Sequence, residues 1–549
     1  MKKIDKKSTL INLVIFIMVI IVINLISLNV FFRLDFSKGK IYSLAPSSKE
    51  VVKQLEDRML VKAYFTEELP PQFANIRRYT KDLLEEYKTA SKGKFRYEFI
   101  NPTDENQLKE EAQKNGIPPV NVQVREQDRL EVREAFLGLV FHYNDKAETI
   151  PLVQETRGLE YEITRTINKI SAYNIAKVAF YGLTPDLPDD PRLRMFMQNQ
   201  DKFRTTKEHI RQNYELISTT LEEPLETNIS TLVFSGILDS LSNMQLFNLD
   251  QFLMKGNNLI IFQDKVLANL QYQMVEPINS NIFELLEHYG IKIKDNLVLD
   301  AESGQVSVQE QRGIFSVSTP VQYPFIPISN TFNKKNPIVS QLNNLQYVFV
   351  SEIDTTVVLP NVNFTPLVYT SDKSSSIQGP NYDISIQRYM DKSYLNRLTQ
   401  KNKIIAGLYE GPFVSYFKDK TKVSHEGYNE STQYAKIILV PDMEFIDNEG
   451  AGKNPGNMNF LMNSIDYLSN NQNLISLRSR EVVNKPLLAE RLVNVQDLTP
   501  EAAEKKLGNI KNFIKIINII LPSLLLVVYG LIRYKKEIQR RKRIKETYE

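Results

Sequence analysis

The chain has 549 residues, 42% of them hydrophobic and 24% charged, so it is long enough for several folded domains and too apolar to be disordered throughout. It has no cysteine, which excludes disulfides, thiolate metal sites, iron–sulfur clusters and a cysteine nucleophile. Its four histidines, His142, His209, His288 and His425, form no ligand-spaced pair for zinc. The net charge of +3 is uneven: residues 1–9 carry +3, residues 533–549 carry +5, and the long remainder is mildly acidic.

In chain order, residues 1–9 are a short basic N-terminus. The 23 residues 10–32, "LINLVIFIMVIIVINLISLNVFF", hold no charge. At about 1.5 Å per residue such a helix crosses a bilayer, and no small-residue cleavage pattern follows it, so it is expected to be an uncleaved anchor. Beyond it, "YSLAPSSKEVVKQLEDR" predicts a helix with Pro46 in its first turn. Strands are expected at 59–65 and 94–100, and helices at 75–91 and 106–117, the latter ending near Gly116. "REAFLGLVFHY" and "AETIPLV" predict a strand pair turning at Asn144-Asp145. The order of elements over 33–157 is that of a thioredoxin-like domain lacking the redox cysteines. Residues 158–172 are expected to be a helical bridge.

From residue 175, apolar strands alternate with helices: "IAKVAFYG", "FRTTKEHIRQNY", "STLVFSG", "SNMQLFNLDQFLMKG", "NNLIIFQ", "NIFELLEHYGIKI" and "NLVLD". This alternation predicts a doubly wound α/β region over 158–490, with a Ser/Asn/Pro-rich insertion at about 301–400. The pattern resumes in "KIIAGLY", "AKIILVPD" and the helix "NMNFLMNSIDYLSNN". A juxtamembrane helix is expected at 491–512 and a second transmembrane helix at 513–532, containing Asn518 and Pro522. The basic tail, 533–549, follows. By the positive-inside rule both ends are cytoplasmic and the region between them extracytoplasmic. The tail is read as a topology and lipid-contact signal rather than a nucleic-acid arm.

Four segments carry candidate chemistry. In "KIILVPDMEFIDN", Asp442 and Glu444 follow a strand directly, where ligands sit in open α/β sheets. The expectation is that Asp442 orders its turn by accepting backbone N–H groups, without a catalytic role. "EGAGKNPG" lacks the early glycine and the final Ser/Thr of a phosphate loop and is read as a surface loop. Asp186, Asp189 and Asp190 lie among prolines, as in a turn. The hydroxyl-rich "LVYTSDKSSSIQG" has no histidine near it in sequence to act as a base. No catalytic, cofactor or metal residue is assigned.

The ordered segments "KGKIYSLAPSSKEVVKQL", "LLEEYKTASKGKFRYEFINP", "NPIVSQL", "LVYTSDKSS", "EGPFVSYF", "ILVPDMEFIDN", "NMNFLMNSIDYLSNNQNLISLRSR" and "INIILPSLLLVVYGLIRYKK" together resemble the GldG-like auxiliary components of ABC transporters, which are named from gliding motility. Pro441 stands where that family has glycine, and Asn336 where it has histidine. The resemblance implies an amidotransferase-like outer fold that without cysteine cannot run amidotransferase chemistry. It also implies a non-enzymatic auxiliary subunit in the inner membrane with a periplasmic domain, whose partners are an ABC ATPase, a multi-span permease and the lipid bilayer. No cofactor is implied. Asp442, Asn518 and Pro522 become candidate structural or partner-contact residues. An extracytoplasmic solute- or glycan-binding protein, or an envelope hydrolase, are the competing expectations.

Overall fold

The computed structural model describes residues 43–67, 71–103, 105–126, 129–156, 158–171, 176–182, 201–312, 315–389, 393–420, 428–469, 474–475 and 477–478, and beyond these Met18, Asn512, 529–536 and 538–539. Residues 1–482 form one compact unit and residues 483–549 another. In the second unit residues 529–536 are helical. The expected membrane helices at 10–32 and 513–532, with Asn518 and Pro522, fall almost wholly outside the described residues. Among the described residues no helix is long and apolar enough to cross a membrane.

The first layer begins with helix α1 (Pro46–Lys53), whose proline occupies the first turn, where no N–H is needed. Strand β1 (Met59–Phe65) leads through α2 (Pro71–Ala90) to β2 (Phe95–Ile100), which lies parallel to β1. Helix α3 (Asn106–Lys114) ends with Gly116 at φ +82°, a left-handed position that glycine takes without strain. A hairpin follows, β3 (Val120–Glu126) with β4 (Arg129–Ala135). Strand β5 (Leu137–Tyr143) then runs antiparallel to β1 and turns at Asn144, φ +52°, into β6 (Lys146–Ile150). The sheet order is β2-β1-β5-β6.

Two expectations are corrected here. The run "REAFLGLVFHY" is split at Phe136 between β4 and β5, and β3 was not foreseen. "VNVQVRE" mixes Asn, Gln, Arg and Glu into its alternation, leaving too little apolar character to mark a strand. The expected bridge is helix α4 (Leu159–Ser171), which buries Ile163, Ile167 and Ile170 in the first core with Val52, Leu139 and Phe141. Each such aliphatic side chain contributes about 1.5–3 kcal/mol on burial, so α4 is a structural wall of this layer. A small satellite cluster joins Ala45 to Leu474 and Leu477, with Tyr161 of α4 against it, so segments from early and late in the chain touch.

The second layer is an eight-stranded sheet. Its strands are β7 (Lys177–Tyr181), β8 (Glu215–Thr219), β9 (Ile229–Phe234), β10 (Asn258–Phe262), β11 (Thr331–Phe332), β12 (Asn363–Tyr369), β13 (Ile404–Val414) and β14 (Ser431–Val440). They lie in the order β11-β12-β13-β14-β10-β9-β7-β8. From β14 to β8 neighbours are parallel, and from β11 to β14 they are antiparallel. The parallel strands are nearly all apolar because both faces are covered. Helices α5 (Arg204–Asn213) and α8 (Pro455–Leu468) cover one face, and α6 (Asn243–Met254) and α7 (Ile282–His288) the other.

The segment expected to be an irregular insertion is not one piece. Ser303–Arg312 and Phe315–Ser329 pair as a long hairpin over an aromatic cluster of Tyr323, Phe325, Phe349 and Tyr389. Residues 331–332 and 363–369, however, return to the main sheet as β11 and β12.

Candidate functional site

Three neighbouring strands end at one place. After β14, Pro441 breaks the ladder and the short 3-10 turn Met443–Ile446 begins, with Asp442 at its head. After β10 come Gln263 and Asp264. After β9 come Ser235 and Gly236. Gly236 sits at φ +85°, and a methyl group there would lie 2.4 Å from the Phe262 carbonyl oxygen and 2.6 Å from Met443 Cγ. Only glycine therefore lets the β9 end close against the other two. The Gln263 amide pins the junction by accepting from Ile237 N–H and donating to the Ile237 and Asp264 carbonyl oxygens, each at 2.9 Å.

This closure brings Asp264, Asp442 and Glu444 together, with one carboxylate oxygen from each within 4.8 Å of the others. Asp442 is fully buried, Asp264 nearly so, and Glu444 only partly. The direct donors are few. Val348 N–H donates to Asp442 Oδ2 at 2.7 Å, and Met443 N–H donates to Asp264 Oδ1 at 2.9 Å. Asp264 and Glu444 also share a side-chain hydrogen bond. Asp442 Oδ1 and Glu444 Oε2 are buried and take no hydrogen bond.

Burial holds the carboxyl groups of Asp264 and Asp442 well above the ordinary carboxylate range, and the charge of Glu444 pushes them further. Glu444 is raised as well, again chiefly by burial. Three carboxyl groups in one low-dielectric space cannot all be ionised without a counter-charge. They must hold protons or hold a cation. Arrangements of this kind serve as hard-cation sites or proton reservoirs.

Asp442 and Glu444 were marked from the sequence; Asp264 was not. Its signal was available, since it stands two residues past the apolar run of β10 just as Asp442 stands two past β14. Asp442 accepts backbone N–H groups as expected: those of Glu444 and Phe445 in its own turn act on it, and Val348, 94 residues away in sequence, donates at 2.7 Å. The next residue there, Phe349, holds φ +53°, a left-handed conformation unusual for an aromatic residue.

The other marked segments have local structural roles. Asn454 of "EGAGKNPG" caps α8 by accepting from Gly456 N–H at 2.8 Å. Ser371 of the hydroxyl-rich segment donates to the buried Asp300 carboxylate through both its N–H and its hydroxyl. Asn336 accepts from Ile338 N–H at 3.0 Å. Asp186, Asp189 and Asp190 lie outside the described residues. Two cavities stand apart from the acidic cluster: about 510 Å³ between α4, α5 and α8, touching Tyr161, His209, Lys453 and Arg478, and about 440 Å³ beside α6, touching Phe247, Tyr416 and Lys420.

Comparison with known proteins adds four findings. The profile of a family described as an ABC-type uncharacterized transport system matches residues 176–473, the stretch that carries the eight-stranded sheet and the acidic cluster. A domain of unknown function, DUF7088, matches residues 38–142, which span most of the first layer. An uncharacterized protein of Borreliella burgdorferi (strain ATCC 35210 / DSM 4680 / CIP 102532 / B31) is 23% identical over 539 residues, covering 97% of this chain and 99% of its own. Among solved structures, the mmIFT52 N-terminal domain aligns with 53% of this chain and 97% of its own at a TM-score of 0.31 and 12% identity, too distant to carry an argument.

Proposed function

This chain belongs to the ABC-type uncharacterized transport system family, and we propose that within such a system it is a non-catalytic auxiliary subunit of the GldG-like kind. The observation that carries this reading is the family match over 176–473, together with the ordered motifs along nearly the whole chain. In this reading residues 10–32 and 513–532 are membrane helices, both ends are cytoplasmic, and the folded region between them is extracytoplasmic. The uncharged runs and their basic flanks support that topology. The first layer reads as thioredoxin-like, supported by its β2-β1-β5-β6 order with β5 antiparallel. The second reads as doubly wound, supported by helices on both faces of its parallel strands.

The chain carries no phosphate-binding loop motif, so ATP hydrolysis falls to a separate ABC ATPase, and passage through the bilayer to a multi-span permease. Asn518 and Pro522 within 513–532 are the residues placed to contact that permease, because a polar side chain in lipid is best satisfied against another helix. The test is affinity purification of the tagged full chain from its native membranes in mild detergent. The expected result is stoichiometric recovery of an ABC ATPase and a multi-span permease. Recovery of the chain alone, with transport-dependent phenotypes unaffected by its deletion, would overturn the proposal.

A further inference from the structure

We propose that Asp264, Asp442 and Glu444 form a binding site for a divalent cation of the hard, oxygen-seeking class, Ca²⁺ first among them. The argument begins with how this protein treats its other buried acids. Asp250 is fully buried and receives four donors: the Tyr289 and Ser415 hydroxyls, Tyr416 N–H and the Gln251 amide, at 2.7–2.8 Å. Asp300 receives Ser371 N–H and hydroxyl and Glu302 N–H. Asp466 faces Arg478 at 2.9 Å and accepts from the Tyr214 hydroxyl. Each buried charge there is matched by donors or a cation.

The strand-end cluster is different. Its three carboxyl groups have two close backbone donors, Val348 and Met443, with the Glu444 and Phe445 N–H groups also acting on Asp442, and two of their oxygens, Asp442 Oδ1 and Glu444 Oε2, are buried without a close partner. Among the described residues no lysine or arginine forms an ion pair with any of the three; Lys202, whose charge acts on Glu444, pairs with Asp447 at 3.4 Å. A further group points the same way. The Tyr347 hydroxyl, on a fully buried ring packed 5.0 Å from that of Phe445, also lacks a hydrogen-bond partner, and Asp442 is the charged group acting on it. A neutral oxygen and two unsatisfied carboxylate oxygens converge where a positive charge is missing.

The chemistry of the donors selects the ion. All are oxygens, with no histidine or thiolate among them, which disfavours zinc and copper and favours Ca²⁺, Mg²⁺ or Mn²⁺. Size selects further. Oxygens bound to Ca²⁺ at about 2.3–2.6 Å lie at most about 4.6–5.2 Å apart, whereas those on Mg²⁺ lie within about 4.2 Å. The three oxygens lie within 4.8 Å of one another, inside the span that Ca²⁺ bridges. Glu444 is the least buried of the three.

The test uses the full-length chain in detergent, stripped with a chelator and titrated calorimetrically with CaCl₂ and separately with MgCl₂, with the melting temperature followed in parallel. The expected result is one Ca²⁺ per chain, a higher melting temperature on binding, and at least about tenfold weaker binding in Asp264→Asn and in Glu444→Gln, as loss of one charged ligand predicts. Glu444 is only half-buried, so Glu444→Gln reports even where Asp264→Asn fails to fold. Glu449→Gln, an exposed neighbour outside the cluster, is expected to bind as the native chain does. Absence of any Ca²⁺-dependent heat or melting shift in the native chain would overturn the proposal in favour of shared protons. So would binding that survives unweakened in Glu444→Gln, and so would a site that takes Mg²⁺ and not Ca²⁺.

Discussion

Val348 and Asp442, 94 residues apart, are joined by a hydrogen bond of 2.7 Å from the backbone N–H of one to the carboxylate of the other. It fastens the segment after the long hairpin to the end of β14, beside Ser351 N–H donating to the Pro441 carbonyl oxygen at 3.2 Å. Asp442→Ala would leave the partly buried Val348 N–H unpaired, so the expected loss of stability is about 1–3 kcal/mol. Asp442→Asn keeps an acceptor there and should lose less. Thermal or denaturant melts of the two variants check the order.

Gly236 has no room for a side chain. Gly236→Ala places a methyl group 2.4 Å from a backbone oxygen in a left-handed conformation, and about 1–3 kcal/mol of stability should be lost. The same substitution at Gly93, also left-handed but with open space around it, should be milder. Parallel melts of the two variants make the comparison.

Arg478 and Asp466 are both buried, at 7% and 0% side-chain exposure, and paired at 2.9 Å. Burial pushes the Asp466 carboxyl upward and the guanidinium beside it draws it back. Arg478→Met leaves a lone buried carboxylate and should lose about 3–5 kcal/mol. Adding Asp466→Asn to that variant should restore most of the loss. A double-mutant cycle in denaturant measures both.

His142 on β5 is held below its ordinary value, first by burial and then by the charge of Lys62. Its folded-state affinity for a proton is thus weaker than that of the unfolded chain. Stability is unaffected by this group above about pH 6.5 and falls as the pH drops below it, because the unfolded state takes the proton first. His142→Gln should flatten the dependence of melting temperature on pH between about 7 and 5, while matching the native chain above it. An unchanged slope would show that other groups govern this range.

The proposed topology can be read chemically because the chain has no cysteine. Single cysteines at the exposed positions Lys49 and Asp372 should react with an impermeant thiol reagent on intact spheroplasts, and one at Thr547 should not. Labelling at position 547, or protection at 372, would reverse the assignment.

The elements legible in the sequence were those with strong periodicity: β1, β10 and α8 lie close to where apolar spacing puts them. β8, "ELIST", was missed because it is a short edge strand without a buried run; α4 was expected as a helix, but its amphipathic face does not say which core it meets. The candidate site was half legible. Asp442 and Glu444 stand out beside a proline, but Asp264 joins them only because β10 and β14 are neighbours in the sheet, a pairing across 178 residues that no local pattern states. The unpaired oxygens are invisible in sequence, since they are defined by the donors that are not there.

The contact of Ala45 with Leu474 and Leu477 joins two segments that lie far apart in the chain through one small apolar clasp. Polar substitution of Leu477 should loosen this clasp while leaving the two sheets intact.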